Sequence, residues 1–329
     1  MLRTFVTGGT SSIGRVLVRA LAQDGEAVRV LVRPGSDRAG LELPGVEFVP
    51  GDVTDPVSVR QGMAGCERVF HLAAVVGAQQ PEAVWWQVNR EGTRHVLAAA
   101  LALGVGSMVQ VSTLAVLGPT APGEMADERR LVDTNRYFNL YQKTKRAADE
   151  LALEYAERGL RVSIVYPAFG YGCSHAASHP SLQEMTLLRL AAGKPVAILG
   201  SGANRLCLAY YKDTVQGIRL AAAHAPAGAD YILGGENLTF PQIWAVIARV
   251  LGKPAPRLRI PAGVLRAVAL GARALTGRSP LPPEFFEMVR YNWVFSTAKA
   301  QQELGWRPHS FAEAMAETWA EYQAAGWRA

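Results

Sequence analysis

Short runs of β-branched residues alternate with helical patterns through the first half of the chain. The runs predict strands, and apolar residues spaced three and four apart between them predict helices. Strands are expected over residues 2–6, 28–32, 46–50, 68–72, 108–112 and 162–166. Helices are expected over 13–24, 57–64, 84–103 and 140–157. This rhythm is typical of βαβ units, so the pattern predicts an α/β fold with a doubly wound parallel sheet.

The rhythm breaks after Pro167. Residues 168–208 are rich in Gly, Ser and His before they become helical, and 255–283 combine prolines with a basic helical pattern. A further strand is expected at 231–233 and a capping helix at 311–325. The chain is therefore expected to divide into a sheet domain and a smaller C-terminal lobe. The sheet domain is residues 1–167 with returning segments near 209–235 and 290–300, and the lobe is residues 168–208 and 236–329.

Composition narrows the class of protein. The chain has 329 residues, 49% of them hydrophobic, which is enough for a large core. Its net charge of +6 is spread over scattered arginines, so nucleic acid is not expected as a partner. Three widely spaced cysteines favour a reducing, cytoplasmic location, and neither a signal peptide nor a long apolar span is present. The histidines are dispersed, so no metal site is expected.

A turn of small residues follows the first strand and opens the first helix. Small residues let a backbone turn sharply and approach a pyrophosphate, and the free N–H groups of the helix N-terminus attract phosphate. The turn therefore predicts a dinucleotide site rather than a tight loop without a ligand. Its candidate phosphate-binding residues are Gly8, Thr10, Ser11, Ser12, Ile13 and Gly14.

The ends of the next strands refine the choice of cofactor. Strand two ends in Arg33 where NAD-binding proteins place an acid, so a charge-assisted contact to a 2′-phosphate favours NADP(H) over NAD(H). Asp52, next to Val53, is placed to accept a hydrogen bond from the adenine amino group, although a helix N-cap is its alternative role and Asp55 is the better cap. Small residues after strand four leave room for the cofactor, and the candidates there are Leu72, Ala73 and Ala74.

Tyr141 and Lys145 are four residues apart on a predicted helix and therefore face the same way. A neighbouring ammonium favours the phenolate, so Lys145 is expected to lower the pKa of Tyr141 toward the range useful for acid–base catalysis. Thr113 ends strand five at the carboxyl edge, where ligands bind in such sheets. These three residues are the candidate catalytic group.

The motifs TGxxxxxG, HLAA, VST and YxxxK, in this order, resemble the extended short-chain dehydrogenase/reductase family, most of all its dihydroflavonol-reductase and 3β-hydroxysteroid-dehydrogenase members. The resemblance implies a Rossmann-type sheet with a C-terminal substrate lobe, and a Thr113–Tyr141–Lys145 triad. It further implies that Lys145 holds the nicotinamide ribose, that Tyr166 and Ala168 lie by the cofactor, and that a homodimer forms. Ser11 replaces the family's middle glycine, and Tyr166 replaces its usual arginine.

Two substrate classes compete. Ser112, Phe138, Phe169 and Tyr171 could line a site for an apolar ring compound carrying a ketone, aldehyde or alcohol, which is the favoured hypothesis. Arg205 stands where nucleotide-sugar epimerases, dehydratases or reductases need a cation for a second pyrophosphate.

Two further alternatives stay open. A non-catalytic NADP(H) sensor is disfavoured, because the Tyr–Lys pair is intact. The basic amphipathic segment 264–275 could be a lid helix or a peripheral membrane contact, with the lid favoured.

Overall fold

The computed structural model describes residues 2–76, 80–130, 132–173, 181–261, 263–264, 267 and 290–327. Within these residues, seven parallel strands form the main sheet in the order β10-β6-β5-β4-β1-β2-β3. The strands are β1 (Arg3–Thr7), β2 (Ala27–Val32), β3 (Val46–Pro50), β4 (Arg68–His71), β5 (Ser107–Val111), β6 (Val162–Pro167) and β10 (Asp230–Leu233). The strand order reverses between β1 and β4, which is where ligands bind in doubly wound sheets.

Helices cover both faces of this sheet, as predicted. They are α1 (Ser12–Gln23), α2 (Pro56–Met63), α3 (Glu82–Trp85), α4 (Gly92–Ala102), α5 (Leu140–Glu157) and α7 (Tyr211–His224). The central strands β5 and β6 are buried along their whole length, whereas the edge strand β3 is not. The mainly apolar sequences of these two strands agree with this two-sided burial.

The predicted helix over 84–103 contains a turn of a different kind. Residues Trp86–Glu91 form a π-helical turn between α3 and α4. Such a turn inserts one extra residue into a helix without ending it, and it is frequent at functional sites. Here the turn contains Asn89, a polar residue that is 1% exposed.

The C-terminal lobe contains strands that the sequence did not predict. β7 (Phe169–Tyr171), β9 (Arg205–Tyr210) and β11 (Asn237–Thr239) form a three-stranded sheet, and β8 (Ile198–Leu199) pairs with β12 (Arg259–Ile260). These strands have two to six residues, too few to display a clear period. The helices of this part are α6 (Leu182–Ala191), α8 (Phe240–Val250), α9 (Ala298–Glu303) and α10 (Phe311–Ala324).

Two other predictions concern the second half of the chain. The strand expected at 231–233 is present as β10, parallel to β6. Apart from residues 264 and 267, the predicted lid segment 264–275 lies outside the described residues. Among the described helices, none is long and apolar enough to cross a membrane.

Candidate active site

The glycine turn after β1 is packed so tightly that only glycine fits at two positions. Gly8 has φ +70°, and a Cβ there would lie 2.6 Å from the amide nitrogen of Ala73. A Cβ on Gly14 would lie 2.2 Å from the carbonyl oxygen of Gly8. The turn therefore lies directly against the end of β4, where Leu72 and Ala73 follow His71. Two of the predicted cofactor segments thus meet in the structure.

The start of α1 carries the remaining residues of this turn. The Ser11 hydroxyl accepts a hydrogen bond from the Gly14 amide at 3.1 Å, so Ser11 is the helix N-cap. Ser12 hydrogen-bonds to the hydroxyl of Tyr211 on α7. Thr10 and Ile13 are half-buried. A glycine floor beside a helix N-terminus fits the pyrophosphate of a dinucleotide.

The adenosine-side candidates lie at the ends of β2 and β3. Arg33 is exposed. Asp52 closes its own turn, because one carboxylate oxygen accepts from both the amide and the hydroxyl of Thr54, each at 2.9 Å. Val53 is buried. Asp55 is the N-cap of α2, as expected.

Thr113, Tyr141 and Lys145 come together at the carboxyl edge of the sheet. Thr113 follows β5, and the interaction of its hydroxyl with that of Tyr141 lowers the pKa of the phenol. Tyr141 is half-buried, and its ring meets that of Trp85 edge-on, with centroids 6.4 Å apart. Lys145 is 2% exposed, and its ammonium donates to the carbonyl oxygen of Val111 at 2.8 Å.

The expected effect of Lys145 on Tyr141 is wrong for this structure. Burial raises the pKa of Tyr141 to about 12, although the hydrogen bond with Thr113 lowers it. Burial disfavours the charged form of any group, and the charge of Asp149 adds to the upward shift, whereas Lys145 is not among the groups that move this pKa. At neutral pH the phenol is therefore protonated.

A buried acid lies one turn beyond Lys145, and the sequence interpretation missed it. Asp149 is 1% exposed, and its Oδ2 accepts a hydrogen bond from the Ser112 hydroxyl at 2.6 Å. Burial raises the pKa of Asp149 to about 7 and lowers that of Lys145 to about 8. Ser112 is therefore held by Asp149. The i, i+4 spacing from Lys145 was the available signal.

A line of buried hydrogen bonds connects β1 to α5. The Thr7 hydroxyl lies 2.6 Å from Nδ1 of His71, and Nε2 of His71 lies 3.0 Å from the Thr93 hydroxyl. Since the Thr93 hydroxyl donates to the Asn89 carbonyl oxygen at 2.7 Å, it accepts from Nε2, and His71 is the Nε2–H tautomer. The Asn89 side-chain amide then donates to the Thr144 hydroxyl at 3.0 Å.

This line needs a neutral imidazole, since Nδ1 acts as an acceptor. Burial lowers the pKa of His71 to about 3, and the charge of Lys145 adds to the shift. His71 belongs to the HLAA motif quoted above, but its role and that of Asn89 depend on contacts between distant segments.

Two predicted substrate residues meet in an aromatic cluster made of Phe138, Phe169, Tyr291 and Trp293. The ring of Phe138 stacks on that of Tyr291, with centroids 5.2 Å apart and planes 7° apart. Phe138 and Phe169 both meet Trp293 edge-on, at 6.5 and 5.6 Å. Phe138 stays 37% exposed. No local signal pointed to Tyr291 or Trp293.

Other predicted site residues lie elsewhere. Tyr171 is 2% exposed and packs on Tyr210 and Phe311 in the core. Tyr166 is also buried, and its hydroxyl donates to Asp230 at 3.4 Å. The Arg205 guanidinium donates to the carbonyl oxygen of Asn237 at 2.8 and 3.1 Å.

The last two predicted site residues, Ala168 and Ala74, lie after strands of the main sheet. Ala168 follows β6, and its amide donates to Leu233. Ala74 is half-buried beyond β4. In the part of the chain that the structure describes, no group of three or more His, Cys, Asp or Glu side chains could hold a metal ion.

Residues 4–234 match the model of the NAD dependent epimerase/dehydratase family. A 4-hydroxy-2-methyl-3-oxo-4-farnesyl-3,4-dihydroquinoline-1-oxide ketoreductase of Stigmatella aurantiaca is 31% identical, over 93% of this chain and 92% of that protein. A 3-beta-hydroxysteroid dehydrogenase of Mycolicibacterium neoaurum is 29% identical, over 96% and 90%. A crystal structure of DesIV, a dTDP-glucose 4,6-dehydratase of Streptomyces venezuelae with NAD bound, superposes with a TM-score of 0.78 at 27% identity, covering 99% of both chains.

The neutral state of His71 predicts a pH-dependent loss of stability. Unfolded His71 takes up a proton near pH 6.5, whereas the folded residue does so only near pH 3. The unfolded chain therefore binds more protons in this window, and the contribution is complete above pH 6.5 and is lost as pH falls. We expect the free energy of unfolding of the wild type to fall by about 1.4 kcal/mol per pH unit more than that of His71→Gln between pH 6 and 4.

Urea denaturation at several pH values measures this difference. The exposed His224→Gln is the matched control and should follow the wild type. Parallel profiles for wild type and His71→Gln would contradict the assignment of a neutral buried imidazole.

Proposed function

Because this chain belongs to the NAD-dependent epimerase/dehydratase family and is an NAD(P)-dependent enzyme of the extended short-chain dehydrogenase/reductase type, we propose that it interconverts a carbonyl and an alcohol. The substrate in this proposal is an apolar small molecule that contains a ring, and the cofactor is NADP(H). Thr113, Tyr141 and Lys145 are the proposed catalytic residues.

The observation that carries the proposal is the surroundings of the Tyr141 hydroxyl. The Thr113 hydroxyl lowers its pKa, and the Trp85 ring meets the Tyr141 ring edge-on. Phe138, three residues before Tyr141, begins the aromatic cluster with Tyr291 and Trp293. Aromatic walls beside a few polar groups are typical of sites for apolar ring compounds. The two curated relatives described above, named for a ketoreductase and a steroid dehydrogenase, point to the same class.

The proposed chemistry assigns one task to each residue. The dinucleotide supplies hydride chemistry when bound, and the turn of Gly8 to Gly14 is the proposed site for its pyrophosphate. A protonated phenol is the form that donates to a substrate oxygen as negative charge develops there. Thr113 orients that phenol, and Lys145 is assigned to the ribose hydroxyls.

The proposed preference for NADP(H) rests on the end of β2. Residue 33 is an exposed arginine where an acid would favour the free ribose hydroxyl of NAD. A guanidinium can meet a phosphate with two parallel hydrogen bonds.

A nucleotide-sugar enzyme is the second candidate, and the likeness to DesIV favours it. Arg205 would have to give up its bonds to Asn237 in order to bind a sugar-nucleotide pyrophosphate. The aromatic cluster offers apolar contact instead. We therefore place this candidate second.

Further parts of the proposal concern organisation. Residues 1–167 with the returning segments form the proposed cofactor domain, and the remaining residues form the substrate lobe. A homodimer and a cytoplasmic location stay predictions.

The function is tested with a panel of cyclic ketones and NADPH, followed by absorbance at the NADPH band. We expect consumption of NADPH with at least one apolar cyclic ketone. Tightly held NAD after purification, with turnover of a sugar nucleotide and no net cofactor use, would instead establish the second candidate. Binding of NADPH without any turnover would identify a sensor.

Tyr141→Phe removes only the transferable proton. We expect turnover to fall about 10²–10⁴-fold, since a positioned general acid contributes that much, while the Kd for NADPH stays near that of the wild type. Tyr155→Phe, on the same helix and far from Thr113, is the matched control and should keep full activity. Near-normal turnover of Tyr141→Phe would contradict the proposed mechanism.

Arg33→Asp tests the cofactor assignment. We expect the variant to lose on the order of 1–3 kcal/mol of NADPH affinity, the worth of a hydrogen bond between charged groups, and much less NADH affinity. Arg60→Asp makes the same charge change at an exposed position of α2 and should affect neither. Fluorescence titration measures both constants. Equal losses for the two cofactors in Arg33→Asp would defeat the assignment.

A further inference from the structure

Arg15 is a charged side chain buried in the cofactor half of the protein. It follows Gly14 on α1 and is 1% exposed. Its Nε donates to the Thr10 carbonyl oxygen at 3.1 Å, and one terminal nitrogen donates to the Ala39 carbonyl oxygen at 2.7 Å. The other terminal nitrogen donates to the carbonyl oxygen and to a carboxylate oxygen of Asp37, both at 2.7 Å.

These contacts join two separate segments. Thr10 lies in the glycine turn, whereas Asp37 and Ala39 lie in the loop after β2. An unpaired buried charge is strongly destabilising, so the guanidinium favours the arrangement in which all three residues surround it. The fixed fork of the guanidinium reaches acceptors in several directions, which a lysine ammonium cannot do.

The loop over residues 33–41, which we call the β2 loop, is fixed at further points. The Asp37 carboxylate also accepts from the Ala39 amide at 2.9 Å, so Asp37 serves both Arg15 and its own turn. The Leu41 amide donates to the Arg38 carbonyl oxygen at 2.9 Å, and the Leu41 side chain is fully buried. Arg33 is the first residue of this loop. Arg15 therefore fixes the loop that contains Arg33 through bonds near the middle of the loop.

We propose that Arg15 is a positioning residue that sets the preference for a 2′-phosphorylated dinucleotide. It holds the β2 loop against the glycine turn, so that the exposed side chain of Arg33 meets a phosphate on the ribose. Arg15 itself is buried and engaged with protein acceptors, and it acts through the loop. This inference rests on the proposed function, because it presumes that Arg33 recognises that phosphate.

Equilibrium binding to the full chain tests the inference without turnover. Calorimetry gives the Kd of NADPH, NADH, 2′,5′-ADP and 5′-AMP for the wild type, Arg15→Met, Arg15→Lys and Asp37→Ala. We expect Arg15→Met to lower the preference for NADPH over NADH, and for 2′,5′-ADP over 5′-AMP, by about tenfold, which equals about 1.4 kcal/mol. The Kd values of NADH and 5′-AMP should change much less.

Arg29→Met is the matched control. Arg29 also bridges distant segments, since it donates to Glu47 and to the carbonyl oxygens of Gly62 and Ala64, but these lie away from the β2 loop. We expect it to lower the melting temperature and to leave both preferences intact. Arg15→Lys and Asp37→Ala should shift the preferences in the same direction as Arg15→Met, and they decide the outcome if Arg15→Met does not fold.

The results distinguish the role of Arg15 from the assignment of NADP(H) as cofactor. A wild type that prefers NADPH, with Arg15 and Asp37 variants that keep the preference or lose both cofactors equally, overturns the role of Arg15 and leaves the cofactor assignment standing. A wild type that binds 2′,5′-ADP no better than 5′-AMP overturns the NADP(H) assignment and this inference together.

Discussion

The buried hydrogen bonds that run from Thr7 through His71, Thr93 and Asn89 to Thr144 hold the two halves of the site in register. They connect the strand that ends in the glycine turn, the end of β4, the π-helical turn and α5, the helix that carries Tyr141. The two bonds of His71, to Thr7 and to Thr93, form together only while the imidazole is neutral and donates from Nε2. Loss of one partner would leave a neighbour unpaired in the protein interior, at a cost of about 1–3 kcal/mol. These hydrogen bonds therefore join the end of β1, which leads into the glycine turn, to α5.

The same burial that keeps His71 neutral also shifts the pKa values of the ionisable residues on α5. Burial moves the pKa of Lys145 down to about 8 and that of Asp149 up to about 7, and it moves that of Tyr141 up to about 12. A phenol of this kind holds its proton until charge appears on a substrate oxygen close to it. In a site of low dielectric that charge is stabilised strongly by a placed donor. The protonated state of Tyr141 is the one that its proposed role as a donor to a substrate oxygen requires.

The sequence predicted what depends on local pattern. Strands and helices of the main sheet follow from periodicity, and the glycine turn follows from residues whose Cβ would collide with backbone, as at Gly14. The π-helical turn escaped because one extra residue hardly alters an apolar pattern, and the short strands of the lobe escaped because they show no period. The wrong sign for the pKa of Tyr141 arose because spacing on a helix reveals a neighbour but not the depth of burial. Tyr171 and Phe169 are aromatic residues two positions apart, and the sequence does not tell them apart. Only packing distinguishes Tyr171, which lies in the core, from Phe169, which lies in the aromatic cluster with Trp293.

The order of the strands separates the residues proposed to select the cofactor from those proposed to select the substrate. The β2 loop and Arg15 lie by β2, whereas Phe138 and Phe169 follow β5 and β6 in the chain. With neighbouring strands about 4.8 Å apart, β2 and β6 are roughly 19 Å apart across the sheet. Substitutions so far apart that share no partner generally act additively. We therefore expect substitutions in the aromatic cluster to leave the contacts between the glycine turn and the β2 loop unchanged, so that the proposed substrate site and the proposed cofactor site vary independently.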